Sequence, residues 1–294
     1  MTESVGNYVK HRRVPVMVKE NDNYEIYFVP AISGESIAHG FQITLADIAK
    51  DRLPICKLCK EGIFLKSTDN KVIKEAFEGS VDINNGNIES EIVKKCFVED
   101  VGGFLYAEKA NVKRTSNFYT GYMIPTKEAL KSAIIEPQLQ SRYALGTKFV
   151  TEERGQMIYY VELSSAVYTF AFDLDTKYIG RLTFDVNDSG KEVVEDREER
   201  IKSVLDAVKD FLLELKFGSK KTRFLPMQEW ESMVITASDK TWTACSPFSI
   251  DYIEKTEKKR SKIDYNTSIY KYPDQNRTFE EFLSDSIEEL KKRK

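Results

Sequence analysis

An α+β fold, a ferredoxin-like sheet carrying large insertions, is what this sequence predicts, and three observations predict it. Segments of strand and helix character follow one another in the order hairpin, helix, long interruption, two strands, helix, strand, which suits a βαββαβ unit with inserted material. The strand segments are short runs rich in β-branched and aromatic residues, whereas the helical ones repeat apolar residues every three or four positions. Finally, the 294 residues include 41% hydrophobic and 31% charged side chains with only 14 Gly and 8 Pro, a composition that supports a packed core and argues against disorder.

The first element is the hairpin: apolar residues 14–18 and 24–29 flank the turn cluster Glu20-Asn21-Asp22-Asn23. A helix starts after Pro30, with Ser33 as cap, Glu35 at the positive end of the dipole, and Ile37, Phe41, Leu45 and Ile48 as its apolar stripe. At roughly 100° per residue His39 projects about 160° from the centre of that stripe. Residues 51–140 read as an insertion of short helical pieces, a polar loop at 82–87, and a basic-aromatic stretch ending at Pro125. Strand character returns at 157–163 and 166–174. In the next helix Ile201, Val204, Leu205, Val208, Phe211, Leu212 and Leu215 form one stripe, with Arg197, Arg200, Lys202 and Lys209 outside it. It ends at Gly218, and a basic loop at 219–223 leads to a strand at 233–236. Residues 254–275, charged and without aliphatic periodicity, read as a mobile loop. Thr278 and Glu281 then form a capping-box pattern for a last helix whose face is Phe279, Phe282, Leu283, Ile287 and Leu290. A gap remains. A ferredoxin-like sheet of the RNA-recognition type needs a central strand ahead of its first helix, and the hairpin at 14–29 reads as an elaboration rather than that strand.

Composition excludes several functions. The 44 Lys+Arg against 47 Asp+Glu give a net charge of −3, which is no generic polycation. No apolar run approaches the ~18 to 20 residues that span a bilayer, and the first residues lack the apolar region of an export signal, so a cytoplasmic protein with no membrane partner is expected. His11 and His39 are the only imidazoles, and there is no GxSxG, HExxH, GxxxxGK[ST] or GxGxxG, so catalysis is the weaker reading. The four cysteines, at 56, 59, 96 and 245, are too few for a secreted disulfide scaffold. Cys56 and Cys59 have zinc-knuckle spacing, but no second CxxC or CxxH accompanies them. Ordinary thiols are therefore the first reading, a redox-labile pair the second and half of a metal site the last, and no metal or cofactor is expected. Asp173, Asp175 and Asp185 are too scattered for a magnesium site.

Basic residues nonetheless cluster at 10–13, 109–114, 216–223, 255–262 and 291–294. A charge run is ordinarily a solvated face, yet three of these sit beside turns, glycines or aromatics, the setting in which phosphates are gripped. Lys113-Arg114-Thr115-Ser116-Asn117-Phe118-Tyr119 joins cations, hydroxyls and stacking rings. The helix start at Ser33-Gly34 offers free N–H groups to an anion, with His39 nearby; the competing reading is a surface or interdomain histidine.

The segments VPAISGESIAHGF (29–41), DVGGFLYA (100–107), VKRTSNFYTGYMIP (112–125), ELSSAVYTFAFDLD (162–175) and GSKKTRFLP (218–226) occur in order over about residues 4–237. Together they closely resemble the CRISPR-associated DevR autoregulator family, and more narrowly the backbone subunits of type I-A archaeal Cascade. The resemblance implies a palm of RNA-recognition fold formed by 1–50 and 141–239, a thumb hairpin at about 145–159, inserted fingers at 51–140, and a loop and docking helix at 240–294. It implies no catalysis and no cofactor. Its expected partners are a CRISPR RNA, copies of the chain in a helical filament along that RNA, other Cascade subunits, and target DNA met through the guide. The RNA contacts it implies are Arg12 and Arg13, the helix start with Ser33, Gly34, Ser36 and His39, Lys113 with Arg114, and Lys220, Lys221 and Arg223. Lys148, Arg154 and Met157 belong to the thumb, expected to reach a neighbouring copy. There are two departures. Family members ordinarily begin with a further strand, whereas residues 2–7 match the loop after it, so the palm is expected to lack its first strand. Segment 138–149 is less family-like and lacks a histidine expected near Ala144. The alternative function is a metal-free CRISPR RNA-processing endoribonuclease using His39; a transcriptional regulator finds no helix-turn-helix signal.

Overall fold

A computed structural model describes residues 3–5, 7–82, 87–108, 111–144, 155–184, 186–218, 224–274 and 276–293. Two short strands, β1 (Glu3–Val5) and β2 (Tyr8–Lys10), precede the hairpin of β3 (Arg13–Glu20) and β4 (Asn23–Pro30). Residues 2–7, expected as loop, therefore contain a strand. The hairpin closes through Glu20 opposite Asn23, with Asn21 at φ 54°, a left-handed conformation that Asn tolerates better than most residues. One face of it buries Val18 and Val29 over Leu130, and the other leaves Met17, Tyr24, Ile26 and Phe28 exposed. Helix α1 (Gly34–Ala49) follows, capped by Ser33, whose Oγ accepts the Ser36 N–H at 3.3 Å.

Short elements come next: α2 (Lys57–Lys60), α3 (Asn70–Ala76), α4 (Ile88–Lys95), α5 (Phe97–Gly102), β5 (Phe104–Tyr106), β6 (Val112–Arg114), β7 (Phe118–Thr120) and β8 (Ile124–Pro125). The long strands β9 (Ile134–Ala144) and β10 (Gly155–Ser165) precede β11 (Tyr168–Thr169), β12 (Phe172–Leu174) and helix α6 (Arg197–Glu214). The chain continues through β13 (Met233–Ser238), α7 (Tyr252–Arg260), β14 (Thr267–Tyr272) and α8 (Phe279–Lys292).

The fold is mixed α+β with small sheets. One sheet has the order β1-β2-β10-β9, with β2 parallel to β10 and the other pairs antiparallel. The remaining described strands pair in twos: β3 with β4, β5 with β6, β7 with β12, β8 with β11, and β13 with β14. The strands predicted at 157–163, 166–174 and 233–236 thus do not join one ladder among the described residues. Each takes a partner from elsewhere in the chain: β10 takes β9, β12 takes β7, and β13 takes β14. The loop expected at 254–275 is also corrected. Its first part is α7, braced by i,i+4 ion pairs of Lys255 with Asp251 and Lys258 with Glu254. Its later part is β14, in register with β13 from Tyr272 opposite Met233 to Thr267 opposite Ser238.

Packing centres on Phe41 of α1. Its ring meets Phe118 of β7 and Phe172 of β12 at 4.8 Å each, and Phe211 of α6 at 5.7 Å, all edge-on. A Cβ on Gly40 would lie 2.8 Å from the Lys216 carbonyl oxygen, so glycine lets α1 approach the chain leaving α6. At the other end α8 lays Phe282, Leu283 and Ile287 into the same core, and Phe279 stacks on Trp230 at 4.7 Å. The predicted capping box is present, with Glu281 N–H donating to Thr278 Oγ1 and Thr278 N–H to the Glu281 carboxylate.

Candidate nucleic-acid interface

Several of the expected contacts converge on the start of α1. Ile32 and Met123 exchange backbone hydrogen bonds at 3.0 and 2.9 Å, which brings residues 120–123 against the helix end. Gly34 permits the contact, since a Cβ there would lie 2.8 Å from the Thr120 carbonyl oxygen and 3.1 Å from that of Gly121. Residue 12 is tied in by the Ala31 N–H donating to the Arg12 carbonyl at 2.9 Å, and the Arg12 guanidinium reaches the Tyr122 hydroxyl at 3.5 Å. A guanidinium, the first-turn N–H groups beside buried Ser33 and half-buried Ser36, and the exposed ring of Tyr122 therefore share one surface. Cation, amide dipole and aromatic face are what a phosphate-ribose chain with unstacked bases can use. Tyr122 is a residue that sequence reasoning missed. Its place beside the helix start depends on the Ile32–Met123 bridge, a contact between residues far apart in sequence.

Arg13 lies next to this surface but is partly committed. Its Nη2 donates to Glu162 Oε1 at 3.0 Å, and buried Glu162 also accepts from the Tyr8 hydroxyl at 3.0 Å and the His11 backbone N–H at 2.8 Å. His11 Nε2 lies 2.8 Å from Ser164 Oγ, which is 2.7 Å from the Tyr168 hydroxyl. These bonds strap residues 8–13 onto β10. His39 is exposed one turn along α1, where its ring meets Phe64 edge-on at 5.1 Å rather than an acid or base.

The predicted pair Lys113 and Arg114 is split by the alternation of β6. Lys113 faces solvent, whereas Arg114 is only 2% exposed. All five guanidinium donors of Arg114 are taken: Nε by the Asp100 carbonyl, Nη1 by Glu89 Oε1 and the Arg181 carbonyl, and Nη2 by Asp100 Oδ1 and the Tyr178 carbonyl. Arg200 of α6 meets the other Asp100 oxygen at 2.9 Å. Burial pushes the Asp100 carboxyl above its ordinary range, against the opposing pull of the two guanidinium groups. Arg114 is thus a scaffold residue and is withdrawn as a direct RNA contact. A basic run by itself does not say which of its members turns inward.

Lys148, Arg154, Lys220, Lys221 and Arg223 lie outside the described residues, as does most of the thumb hairpin expected at 145–159. The Met157 backbone is in β10, opposite Arg142. No helix among the described residues is long and apolar enough to cross a membrane. Away from this surface, Cys56 and Cys59 are joined in the core by Cys96, a third partner that the spacing does not reveal.

Residues 1–257 match the model of a family described as the CRISPR-associated negative auto-regulator DevR/Csa2. Two similar proteins come from Saccharolobus solfataricus. One, "CRISPR-associated aCascade subunit Cas7/Csa2 2", is 39% identical over 259 residues, covering 86% of this chain and 79% of the relative. The other, "CRISPR-associated protein Cas7/Csa2 1", is 40% identical over 245 residues, covering 81% and 74%. A chain of a solved "CRISPR RNA-guided surveillance complex, pre-nicking" aligns over 94% of this chain and 93% of its own, at 10% identity and a TM-score of 0.49.

Proposed function

This chain belongs to the CRISPR-associated DevR/Csa2 family, and from that premise we propose that it is the RNA-binding backbone subunit of a type I-A Cascade effector. Copies line up along one CRISPR RNA, hold its phosphates, and leave the bases free to pair with invading target DNA, in the cytoplasm and in company with the other Cascade subunits. The observation that carries the reading is the match to the family over residues 1–257, strengthened by a relative named as an aCascade subunit at 39% identity. The surface at the start of α1 supplies groups suited to the task.

In this reading α1, α6, β12 and β13 belong to a palm of RNA-recognition type made by 1–50 and 141–239, with β7 of the fingers pairing with β12 and β14 of the docking extension pairing with β13. Residues 51–140 act as fingers, the hairpin at about 145–159 as a thumb with Lys148, Arg154 and Met157, and 240–294 as a docking extension. RNA contact falls to Arg12, Arg13, Ser33, Gly34, Ser36, His39 and Lys113, with Lys220, Lys221 and Arg223 from the loop after α6. The chain itself is not an enzyme.

Incubating the purified chain with labelled CRISPR repeat RNA tests this. Retention without cutting is expected, with an affinity that falls linearly on a log–log salt plot because bound phosphates release counterions. Arg12→Glu combined with Lys113→Glu should weaken retention and flatten that slope by about 2. RNA cleavage lost in His39→Ala would assign the endoribonuclease function instead, and no retention at low salt would refute RNA binding altogether.

A further inference from the structure

The helical block between α1 and β6 contains a polar cluster for which RNA contact has no use. Cys56 precedes α2, Cys59 lies within it, and Cys96 joins α4 to α5. All three are buried, and their sulfurs lie within 4.8 Å of one another. Glu99 of α5, 0% exposed, sits against Cys59: its Oε1 accepts the Cys59 thiol at 3.0 Å and the Leu65 N–H at 2.9 Å. Its Oε2 is buried with no hydrogen-bond partner among the described residues. An orphaned carboxylate oxygen in a core is costly unless a proton or a cation attends it.

We propose that Cys56, Cys59, Cys96 and Glu99 hold a structural zinc ion through three thiolates and the Glu99 carboxylate. A tetrahedral zinc with bonds of about 2.3 Å places its sulfurs nearly 4 Å apart, a spacing that the cluster already approaches. Three soft sulfurs favour zinc or copper(I) over the hard cations magnesium and calcium. Lys66 adds positive charge beside Glu99 and Cys59, its Nζ anchored on the Gly102 carbonyl at 2.8 Å. Four protein ligands close the coordination shell and leave no open position for a water, so the ion fastens the chain rather than acting on a substrate. Loading releases to solvent the protons that the thiols carry.

The full chain, purified under reducing conditions, is assayed for zinc by mass spectrometry of the metal, then stripped and titrated with Co²⁺. The expected result is one zinc per chain that survives dialysis, and a Co²⁺ spectrum with thiolate charge-transfer and tetrahedral d–d bands. Cys96→Ser should lose stoichiometric retention. Glu99→Gln keeps the side-chain shape, so it should weaken zinc at least about tenfold while the circular dichroism stays that of the parent. Zinc at buffer level in the reduced, zinc-reconstituted chain, or Co²⁺ bands that lack thiolate charge transfer, would overturn the proposal. So would a native mass two hydrogens short, which would assign a disulfide to the cluster.

Discussion

Lys113 and Arg114 are neighbours in sequence and opposites in environment, one solvated and one sealed between Glu89 and Asp100. Replacing Arg114 with Met would leave Glu89 and Asp100 buried without the guanidinium that joins them, Arg200 still meeting Asp100. Removing one partner of such a pair costs about 3 to 5 kcal/mol, so Arg114→Met should melt many degrees lower in a calorimeter. An unchanged melting temperature would mean that the network adds no stability. Gly34→Ala addresses the helix start in turn, because its new methyl would press on the Thr120 and Gly121 carbonyls. It should retain less RNA at moderate salt and lose roughly 1 to 3 kcal/mol of stability to overpacking, seen as a lower melting temperature; full RNA retention would separate this end of α1 from the binding surface. At this scale the sequence revealed which residue types were present and which stretches were basic. Which members point outward depended on strand phase and on partners such as Glu89, Asp100 and Glu162, all distant in sequence.

Elements were legible in proportion to how much of their stability is local. α1, α6 and α8 carry their own stripe, and in α1 and α8 the cap is also local, so the three were readable from their own residues. Thr278→Ala removes the oxygen that accepts the Glu281 N–H and should cost about 1 kcal/mol, seen as a lower urea midpoint with an unchanged slope. A midpoint equal to the parent's would show that α8 is held by its packing alone. α7 and β14 were missed for the converse reason. α7 buries Tyr252 and Thr256 and otherwise shows a charged surface with no apolar stripe to read, and β14 is a strand because β13 lies beside it. β1 and β2 are three residues each, too short to show a period.

Across the whole molecule, one apolar cluster runs through α1, α4, α5, α6 and α8, while the β9–β10 pair stands apart with Ile134, Leu139 and Ile158 exposed. The strap of residues 8–13 fastens that pair through Glu162. Glu162→Ala should therefore speed amide exchange at 8–13 and along 155–161 by about tenfold, and leave α1 and α6 as protected as before. Equal protection in strap and strand would show that the β2–β10 ladder suffices without the carboxylate.

That ladder is brief, pairing Tyr8 with Tyr160 and Val9 with Val161, and β10 continues past it to Gly155 with β9 alone alongside among the described residues. Five residues of strand extend about 17 Å. A ribbon clamped at one end behaves as a cantilever: it flexes across its thin dimension far more easily than it lengthens. Whatever meets the far end of this ribbon would be kept at a set distance from the Glu162 anchor while its angle adjusts, so the pair would serve as a ruler with a soft hinge.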